Sequence, residues 1–248
     1  MSLSRILAFV IVVSLAFQVT SIQSWAETKA PAKKQKAPVR KPRPEFADPV
    51  VDESLPNVLL IGDSISIGYT LAVRKALKGE ANVWRIPTNG GPTTRGIDQL
   101  DQWLSGRTYD LVHFNFGLHD LKYLAGDGKS LGDPKASDSR QQVLIDAYEK
   151  NLRMIATQLT SASKTVIWRE TTPVPEGADG RIAGDEVRYN QVAAKVISEF
   201  EGMITDPMHA YALEIAEHQK PANVHYTSEG SRLLGVHVAN VVREHLPE

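Results

Sequence analysis

Short apolar runs alternate with longer amphipathic segments along most of the chain. A continuous apolar run, typical of a strand buried on both faces, lies at residues 58–61, and mainly apolar runs predict four further strands at residues 83–86, 111–116, 165–168 and 203–205. Apolar residues at helical spacing predict helices at residues 69–78, 97–104, 139–161, 184–200 and 228–245. Five such alternations predict a parallel sheet covered by helices on both faces. The expected fold class is therefore a three-layer α/β/α sandwich with a mostly parallel five-stranded sheet.

The start of the chain does not share this pattern. In residues 1–26, Arg5 precedes an apolar run that ends at Val19, and small residues follow at Ser24 and Ala26. This arrangement is typical of a bacterial signal peptide cleaved after Ala26, and the run is short for a membrane anchor, which needs roughly 20 residues. We therefore expect a secreted or periplasmic mature protein without stable membrane insertion.

A basic segment follows, rich in Lys, Pro and Ala. Between residues 27 and 46, seven basic residues outnumber two acidic ones. Because proline blocks helices and favours an extended chain, residues 27–51 are predicted to be a disordered linker. A solubilising spacer explains this composition, and contact with an anionic cell surface is the alternative. Residues 52–248 remain as one domain.

The amino-acid composition excludes several classes of function. The 248 residues include no cysteine, which excludes disulfides, thiol nucleophiles and iron–sulfur clusters. With 28 basic and 29 acidic residues, the net charge of −1 argues against a general nucleic-acid binder. The His, Asp and Glu residues do not show the spacing of a metal site, so we expect neither a metal nor a cofactor.

Chemistry in a parallel sheet is expected at the carboxyl ends of the strands. Ser64 follows the first strand, where the amino terminus of a helix favours a nearby negative charge, so it suits a nucleophile. An ordinary helix cap is the alternative explanation of Ser64. Gly91 and His119 follow the next two strands, and His225 precedes the last helix. Taken singly, each is also typical of a turn or surface position.

Together these segments resemble the SGNH, or GDSL-type, hydrolase family. The motifs are G-D-S-I at residues 62–65, a glycine-rich second loop, G-x-x-D at 117–120 and V-H-x-T-x-E-G at 224–230. They occur in the family's order, between residue 57 and the C-terminus. The blocks G-L-H-D-L-K at 117–122 and T-T-P-V-P at 171–175 are similar to those of a secreted bacterial group. The resemblance implies a flavodoxin-like sheet.

The resemblance also implies a mechanism. Ser64 would be the nucleophile, His225 its base, and the N–H groups of Ser64 and Gly91 would form an oxyanion hole. The implied activity is hydrolysis of carboxylic esters, acetyl esters on carbohydrates above all, through an acyl–Ser64 intermediate. A polysaccharide O-acyltransferase with the same Ser–His pair and an inactive carbohydrate-binding protein are the alternatives. The expected partner is a small-molecule or carbohydrate ester.

Two positions depart from the family's pattern. His119 stands where the family has an asparagine that donates to the oxyanion hole; an imidazole can still donate, but its protonation would make the hole pH-sensitive. Ala222 stands where the family has an aspartate three residues before the histidine. Either Asn223 or a backbone carbonyl orients His225, giving a Ser–His dyad, or a carboxylate such as Asp206 arrives from elsewhere.

Other polar residues lie near the same edge of the predicted sheet. Asp63 and Asp120 are candidate supporting residues, and we expect Asp120 to accept from backbone amides of its own loop. His113 and Asn115 alternate along the third strand, where hydrogen bonds within the core are expected. Residues 124–138 form a long polar insertion, which is typical of a binding loop, a lid or a mobile loop.

Overall fold

The computed structural model describes residues 43–247; the predicted signal peptide and the first part of the predicted linker lie outside the described residues. The strands are β1 (Asn57–Ile61), β2 (Asn82–Arg85), β3 (Tyr109–Phe114), β4 (Tyr123–Leu124), β5 (Arg140–Gln141), β6 (Ser163–Arg169) and β7 (Ile204–Asp206). The helices are α1 (Ser64–Ala76), α2 (Thr93–Leu104), α3 (Ile145–Ala162), α4 (Asp185–Ile197), α5 (Met208–Glu214) and α6 (Ser228–Arg243). Two 3-10 helices cover Pro44–Phe46 and Ala216–His218.

The main sheet has five parallel strands in the order β2-β1-β3-β6-β7, so the predicted fold class is confirmed. Leu60 of β1 is in register with both Arg85 and His113, and Trp168 of β6 with Phe114. The chain leaves β1 for one neighbour and later returns to its other side. Such a reversal opens a crevice at the carboxyl ends of the strands, which is the usual ligand site in these sheets.

Helices cover the sheet in two sets. α1 packs against α6, whereas α3 packs against both α2 and α4. The strands between them are mainly apolar, and Leu60, Phe114 and Trp168 are fully buried. Within residues 43–247, none of the helices has the length and apolar character to span a bilayer.

Several elements differ from the sequence prediction. Helix α1 begins at Ser64, five residues early, because the Asp63 carboxylate accepts from Ile65 N at 3.0 Å and caps the helix. Helix α3 begins six residues late, because β5 pairs with β4 in a short antiparallel hairpin within and beside the polar insertion. The seven-residue helix α5 was not predicted, since it is too short for a clear periodicity.

Residues 43–51, which the sequence assigns to the linker, already contact the domain. Arg74 of α1 donates to Pro44 O at 3.1 Å, and the guanidinium of Arg85 lies 5.3 Å from the ring centre of Phe46. The segment has neither helical nor strand-like periodicity, so these contacts become visible only in the folded domain. The domain therefore begins before the predicted boundary at residue 52.

Candidate active site

Ser64 lies where β1 ends and α1 begins. As the first residue of α1, it has an N–H without an acceptor inside the helix. Arg85 holds the loop in place, because its guanidinium donates to Gly62 O at 3.0 Å, Asp63 O at 3.1 Å and Ser66 Oγ at 2.7 Å. Burial lowers the pKa of Arg85 to about 10, which leaves it charged at neutral pH. The loop thus presents Ser64 from a fixed backbone.

His225 reaches Ser64 from the segment before α6. Val224 and Tyr226 are buried, so the alternation of side chains directs His225 away from the core. Lys220 N donates to His225 O at 2.9 Å and closes the segment on itself. The two atoms that matter, Ser64 Oγ and His225 Nε2, are 2.8 Å apart. The structure therefore brings together the predicted nucleophile and base.

Asn223 sets the tautomer of His225. The Oδ1 atom of Asn223 accepts from the backbone N–H of His225 at 2.9 Å, which identifies this side-chain atom as the amide oxygen. The same oxygen lies 2.7 Å from Nδ1 of His225, so Nδ1 carries a proton. Nε2 is then the unprotonated nitrogen that can accept the Ser64 proton. The sequence left a backbone carbonyl, the Asn223 side chain or a displaced carboxylate to orient the base, and the structure places the Asn223 side chain there.

Asp206, the candidate for a displaced acid, lies elsewhere. Its carboxylate is fully buried and bonds to Nε2 of His113 at 2.9 Å and to Nε2 of His237 at 2.7 Å. His113 accordingly forms its bond within the core, as expected. Asp206 organises the end of β7 beneath α6, and Ala222, at the usual position of the acid, supplies no carboxylate.

Asp120 stabilises the second loop. It accepts from both Thr93 N at 2.8 Å and Thr93 Oγ1 at 2.5 Å, at the start of α2. Its hydrogen-bond partner is therefore the first residue of α2, whereas the sequence prediction had placed the partners in its own loop. Burial raises the pKa of Asp120 to about 7.

The buried Asn115 forms its hydrogen bonds within the core, as expected. It donates to Arg169 O at 2.8 Å and accepts from the Arg169 guanidinium at 2.6 Å.

Gly91 has a left-handed backbone, with φ of 65°, that favours glycine. Its N–H donates to Asn89 Oδ1 at 2.9 Å, so the donor expected in the oxyanion hole already has a partner in its own turn. A ligand oxygen would have to share or displace this bond. The structure places Gly91 in the expected loop but gives its N–H a local acceptor.

His119 is half-buried and within electrostatic range of His225. Burial, with help from the cations Lys122 and Arg181, lowers the pKa of His119 to about 4, although Asp63 opposes the shift. The ring is therefore neutral at pH 7. The sequence suggested that protonation of His119 would make the oxyanion hole pH-sensitive. This protonation is expected only well below neutral pH.

Two cations of the site were missed by sequence reasoning. Lys122 Nζ lies 3.4 Å from Nδ1 of His119. Arg181 donates to Leu118 O from two nitrogens, at 3.2 and 3.0 Å, and so clamps the loop that carries His119. Arg181 belongs to the loop after β6, far from His119 in sequence, and only the parallel sheet brings the two loops together. Lys122 could have been identified from the sequence, because it is the last residue of the G-L-H-D-L-K block.

Ser64 lines two pockets of unequal size. A small pocket of about 160 Å³ lies towards α6. It is lined by Ser64, Ile65, Gly68, Lys220, His225, Tyr226 and Ser231. An open groove of about 640 Å³ lies on the other side. Its lining consists of Arg43, Glu45, Phe46, Ser64, Ile67, Gly68, Leu71, Pro87, Thr88 and Asn89.

The described part of the chain, residues 43–247, holds no group of three or more His, Asp or Glu side chains arranged for a metal ion. The functional groups that the fold does gather at the sheet edge are a hydroxyl, two imidazoles, an amide and backbone N–H groups. This set fits proton transfer and stabilisation of a developing negative charge.

The fold is shared with solved structures of low sequence identity. The acetylxylan esterase Axe2 from Geobacillus stearothermophilus is 17% identical, with a TM-score of 0.60 over 77% of this chain and 95% of that chain. The lipase/acylhydrolase from Enterococcus faecalis is 17% identical, with a TM-score of 0.61 over 77% and 97%. The acetyl xylan esterase AlAXEase is 17% identical, with a TM-score of 0.59 over 75% and 99%. Neither a family model nor a curated protein matches the sequence.

Proposed function

We propose that the protein is a serine esterase that hydrolyses acetyl esters of carbohydrates through an acyl–Ser64 intermediate. The observation that carries the proposal is the continuous series of hydrogen bonds from Ser64 Oγ to His225 at 2.8 Å and from His225 to Asn223 at 2.7 Å. A serine hydroxyl is a weak nucleophile until a base accepts its proton, and this series supplies the base in the required tautomer.

The reaction follows from these positions. Nε2 of His225 takes the proton as Ser64 Oγ attacks the ester carbonyl, and the same proton passes to the departing alcohol oxygen. The negative charge on the carbonyl oxygen develops near the Ser64 N–H and the amino terminus of α1, both of which favour it. Water then attacks the acyl–serine with His225 again as base, which releases the acid and restores Ser64.

The different sizes of the pocket and the groove beside Ser64 support a substrate with a small acyl group and a large alcohol. The pocket of about 160 Å³ has room for a short acyl chain, whereas the groove of about 640 Å³ is of the size that holds small-molecule ligands. The groove offers Thr88, Asn89 and Glu45 to sugar hydroxyls. That two of the structural neighbours are named acetylxylan esterases supports the same choice.

A substrate panel tests the proposal. The purified protein is assayed on p-nitrophenyl esters of increasing acyl length and on acetylated xylo-oligosaccharides, with released acetate measured. We expect the acetyl ester to be turned over faster than the octanoyl ester and acetate to be released from the sugar. No turnover of any ester, as an inactive binding protein would give, contradicts the proposal.

An acyltransferase would use the same Ser64 and His225, so the assay must also follow the second product. With an unacetylated oligosaccharide present as acceptor, hydrolysis leaves free acetate, whereas transfer leaves an acetylated acceptor. The open groove, which admits water to Ser64, favours hydrolysis. Acetylated acceptor as the main product would replace the esterase by a transferase.

The proposal includes a location outside the cytoplasm. Its support is the pattern of residues 1–26, which is typical of a signal peptide. The basic residues of 27–46 would then lie outside the cytoplasm as well, where they are suited to an anionic surface. Carbohydrate esters of the cell surface or the surroundings would be accessible there.

Changes at Asn223 test how His225 is oriented. Asn223→Ala removes the acceptor for Nδ1–H, and we expect kcat for p-nitrophenyl acetate to fall about tenfold, the value of one hydrogen bond. Burial lowers the pKa of His225 below its usual value, with Arg181 and Lys220 adding to the shift and Asp63 opposing it. Activity needs the neutral ring, so the acidic limb of kcat/KM should lie below pH 6.5.

Asn223→Asp is the matched variant. The added carboxylate stabilises protonated His225 and raises its pKa, so the acidic limb should move to higher pH while activity at pH 8 is retained. The measurement is kcat/KM from pH 4 to 9 for the three proteins. An unchanged limb in Asn223→Asp would show that residue 223 does not contact the base.

A further inference from the structure

Lys122 contacts one nitrogen of the His119 ring. Its Nζ lies 3.4 Å from Nδ1, and an ammonium group has donors but no acceptor. Nδ1 must therefore be the accepting, unprotonated nitrogen. In a neutral imidazole the proton is then on Nε2, and among residues 43–247 the one hydrogen-bond contact of the ring is that between Lys122 and Nδ1. The ring holds one N–H that is free to donate to a bound molecule.

We propose that Lys122 is a positioning residue: it fixes His119 as the Nε2–H tautomer, so that this N–H completes the oxyanion hole. The inference rests on the proposed esterase function and assigns a donor to the position where the sequence departs from the usual asparagine. An asparagine amide always presents an N–H, whereas an imidazole presents one only in the correct tautomer. A neighbour that donates to the opposite nitrogen removes the ambiguity.

The charges around His119 are consistent with a neutral ring. Asp63 is the acidic group that faces it, and Lys122, Arg181 and His225 are the basic ones. Burial and the two cations keep the pKa of His119 far below neutrality against the opposing effect of Asp63. Neutrality alone leaves two tautomers, and the contact with Lys122 distinguishes between them.

His119 is important because the oxyanion hole otherwise has few free N–H donors. The Gly91 N–H already donates to Asn89, so the Ser64 N–H is otherwise the main free donor at this point. Loss of a single oxyanion donor in a hydrolase costs about 10²- to 10³-fold in rate. The opposite tautomer of His119 would be worse than an absent donor, because the Nε2 lone pair would face the negative oxygen.

The kinetic test is a double-mutant cycle with Lys122→Met and His119→Asn, assayed on p-nitrophenyl acetate at pH 8. We expect Lys122→Met to lower kcat about 3- to 10-fold with little change in KM, as for the loss of one hydrogen bond. In the His119→Asn background the same change should have no effect, because an amide has no tautomer to fix. An equal loss in both backgrounds would overturn the proposal in favour of a direct charge effect.

Two controls accompany the cycle. Lys150→Met removes an exposed lysine from α3 and should leave kcat unchanged. Lys122→Arg retains a donor and should keep more activity than Lys122→Met. Methionine preserves the apolar stem of Lys122, and circular dichroism of each variant verifies that the fold is intact. A Lys122→Arg variant as poor as Lys122→Met in a folded protein would count against positioning by hydrogen bonding.

Nitrogen NMR of the His119 ring gives a readout that does not depend on activity. We expect Nδ1 to be unprotonated and Nε2 protonated at pH 7, with a mixture of tautomers in Lys122→Met. An Nδ1–H tautomer, or a spectrum that Lys122→Met does not alter, overturns the inference even if the enzyme is active. If no ester is hydrolysed but the expected tautomer is found, the proposed function fails while the assignment of Lys122 as the group that sets the tautomer survives.

Discussion

Replacing Ser64 by alanine should lower kcat/KM for p-nitrophenyl acetate by about 10⁴-fold or more. The 2.8 Å contact with Nε2 makes Ser64 Oγ the one nucleophile of the described site that has a base at hydrogen-bond distance. His225→Ala should cause a loss of similar size. Because the two residues act on the same proton, the double variant should be little worse than either single one.

The controls for this prediction address folding and contamination. Ser64 and His225 are at least partly exposed, so truncating them should leave the thermal unfolding midpoint nearly unchanged. All variants are purified in parallel and compared with the p-nitrophenyl acetate rate in buffer. Losses that multiply in the double variant, or a Ser64→Ala protein with retained activity, would contradict a shared acyl-transfer step.

Asp206→Ala should destabilise the fold by about 3 kcal/mol or more. The Asp206 carboxylate is fully buried and receives hydrogen bonds from His113 and His237, so its removal leaves a buried ring N–H without a partner. Urea denaturation at pH 7 measures the loss. Asp98→Ala, which removes an exposed carboxylate from α2, should change the free energy of unfolding by no more than about 0.5 kcal/mol.

The same cluster predicts loss of stability in acid. Burial lowers the pKa of His113 despite the opposing hydrogen bond to Asp206, so the unfolded chain binds more protons as the pH falls below about 6.5. Burial alone would raise the pKa of Asp206, but the hydrogen bonds from His113 and His237 hold it well below its usual range. That contribution is lost below about pH 3.9. A free energy of unfolding that rises from pH 7 to pH 5 would contradict this account.

The sheet and the position of Ser64 at its edge follow from local sequence signals. Mainly apolar runs identify the buried strands because a strand covered on both faces has no solvent side. The loops after those strands share one edge, which places Ser64 there. The pairing of Ser64 with His225, 161 positions away, was predicted from the resemblance of the motifs at residues 62–65 and 224–230 to the SGNH family. The sequence could not decide whether Asp206 orients His225 or whether Ser64 and His225 act without a carboxylate. It does not reveal which histidines a buried carboxylate contacts.

Other features depend on contacts between distant segments. The hairpin of β4 and β5 has only two residues in each strand, so neither produces a recognisable alternation. Arg181 reaches Leu118 across the sheet edge, which no local pattern reports. The bond from Gly91 N to Asn89 is local, yet its consequence for the oxyanion hole is visible only once the geometry of the turn is known.

Covalent labelling with a fluorophosphonate shows whether Ser64 is the nucleophile, because the reagent reacts preferentially with a serine that a base has activated. Digestion and mass spectrometry then locate the label. We predict one label per chain, on the peptide that contains Ser64, with activity lost in proportion to labelling and strongly slowed labelling in His225→Ala. Label at another residue, or full activity in a protein that the reagent does not modify, would contradict Ser64 as the nucleophile.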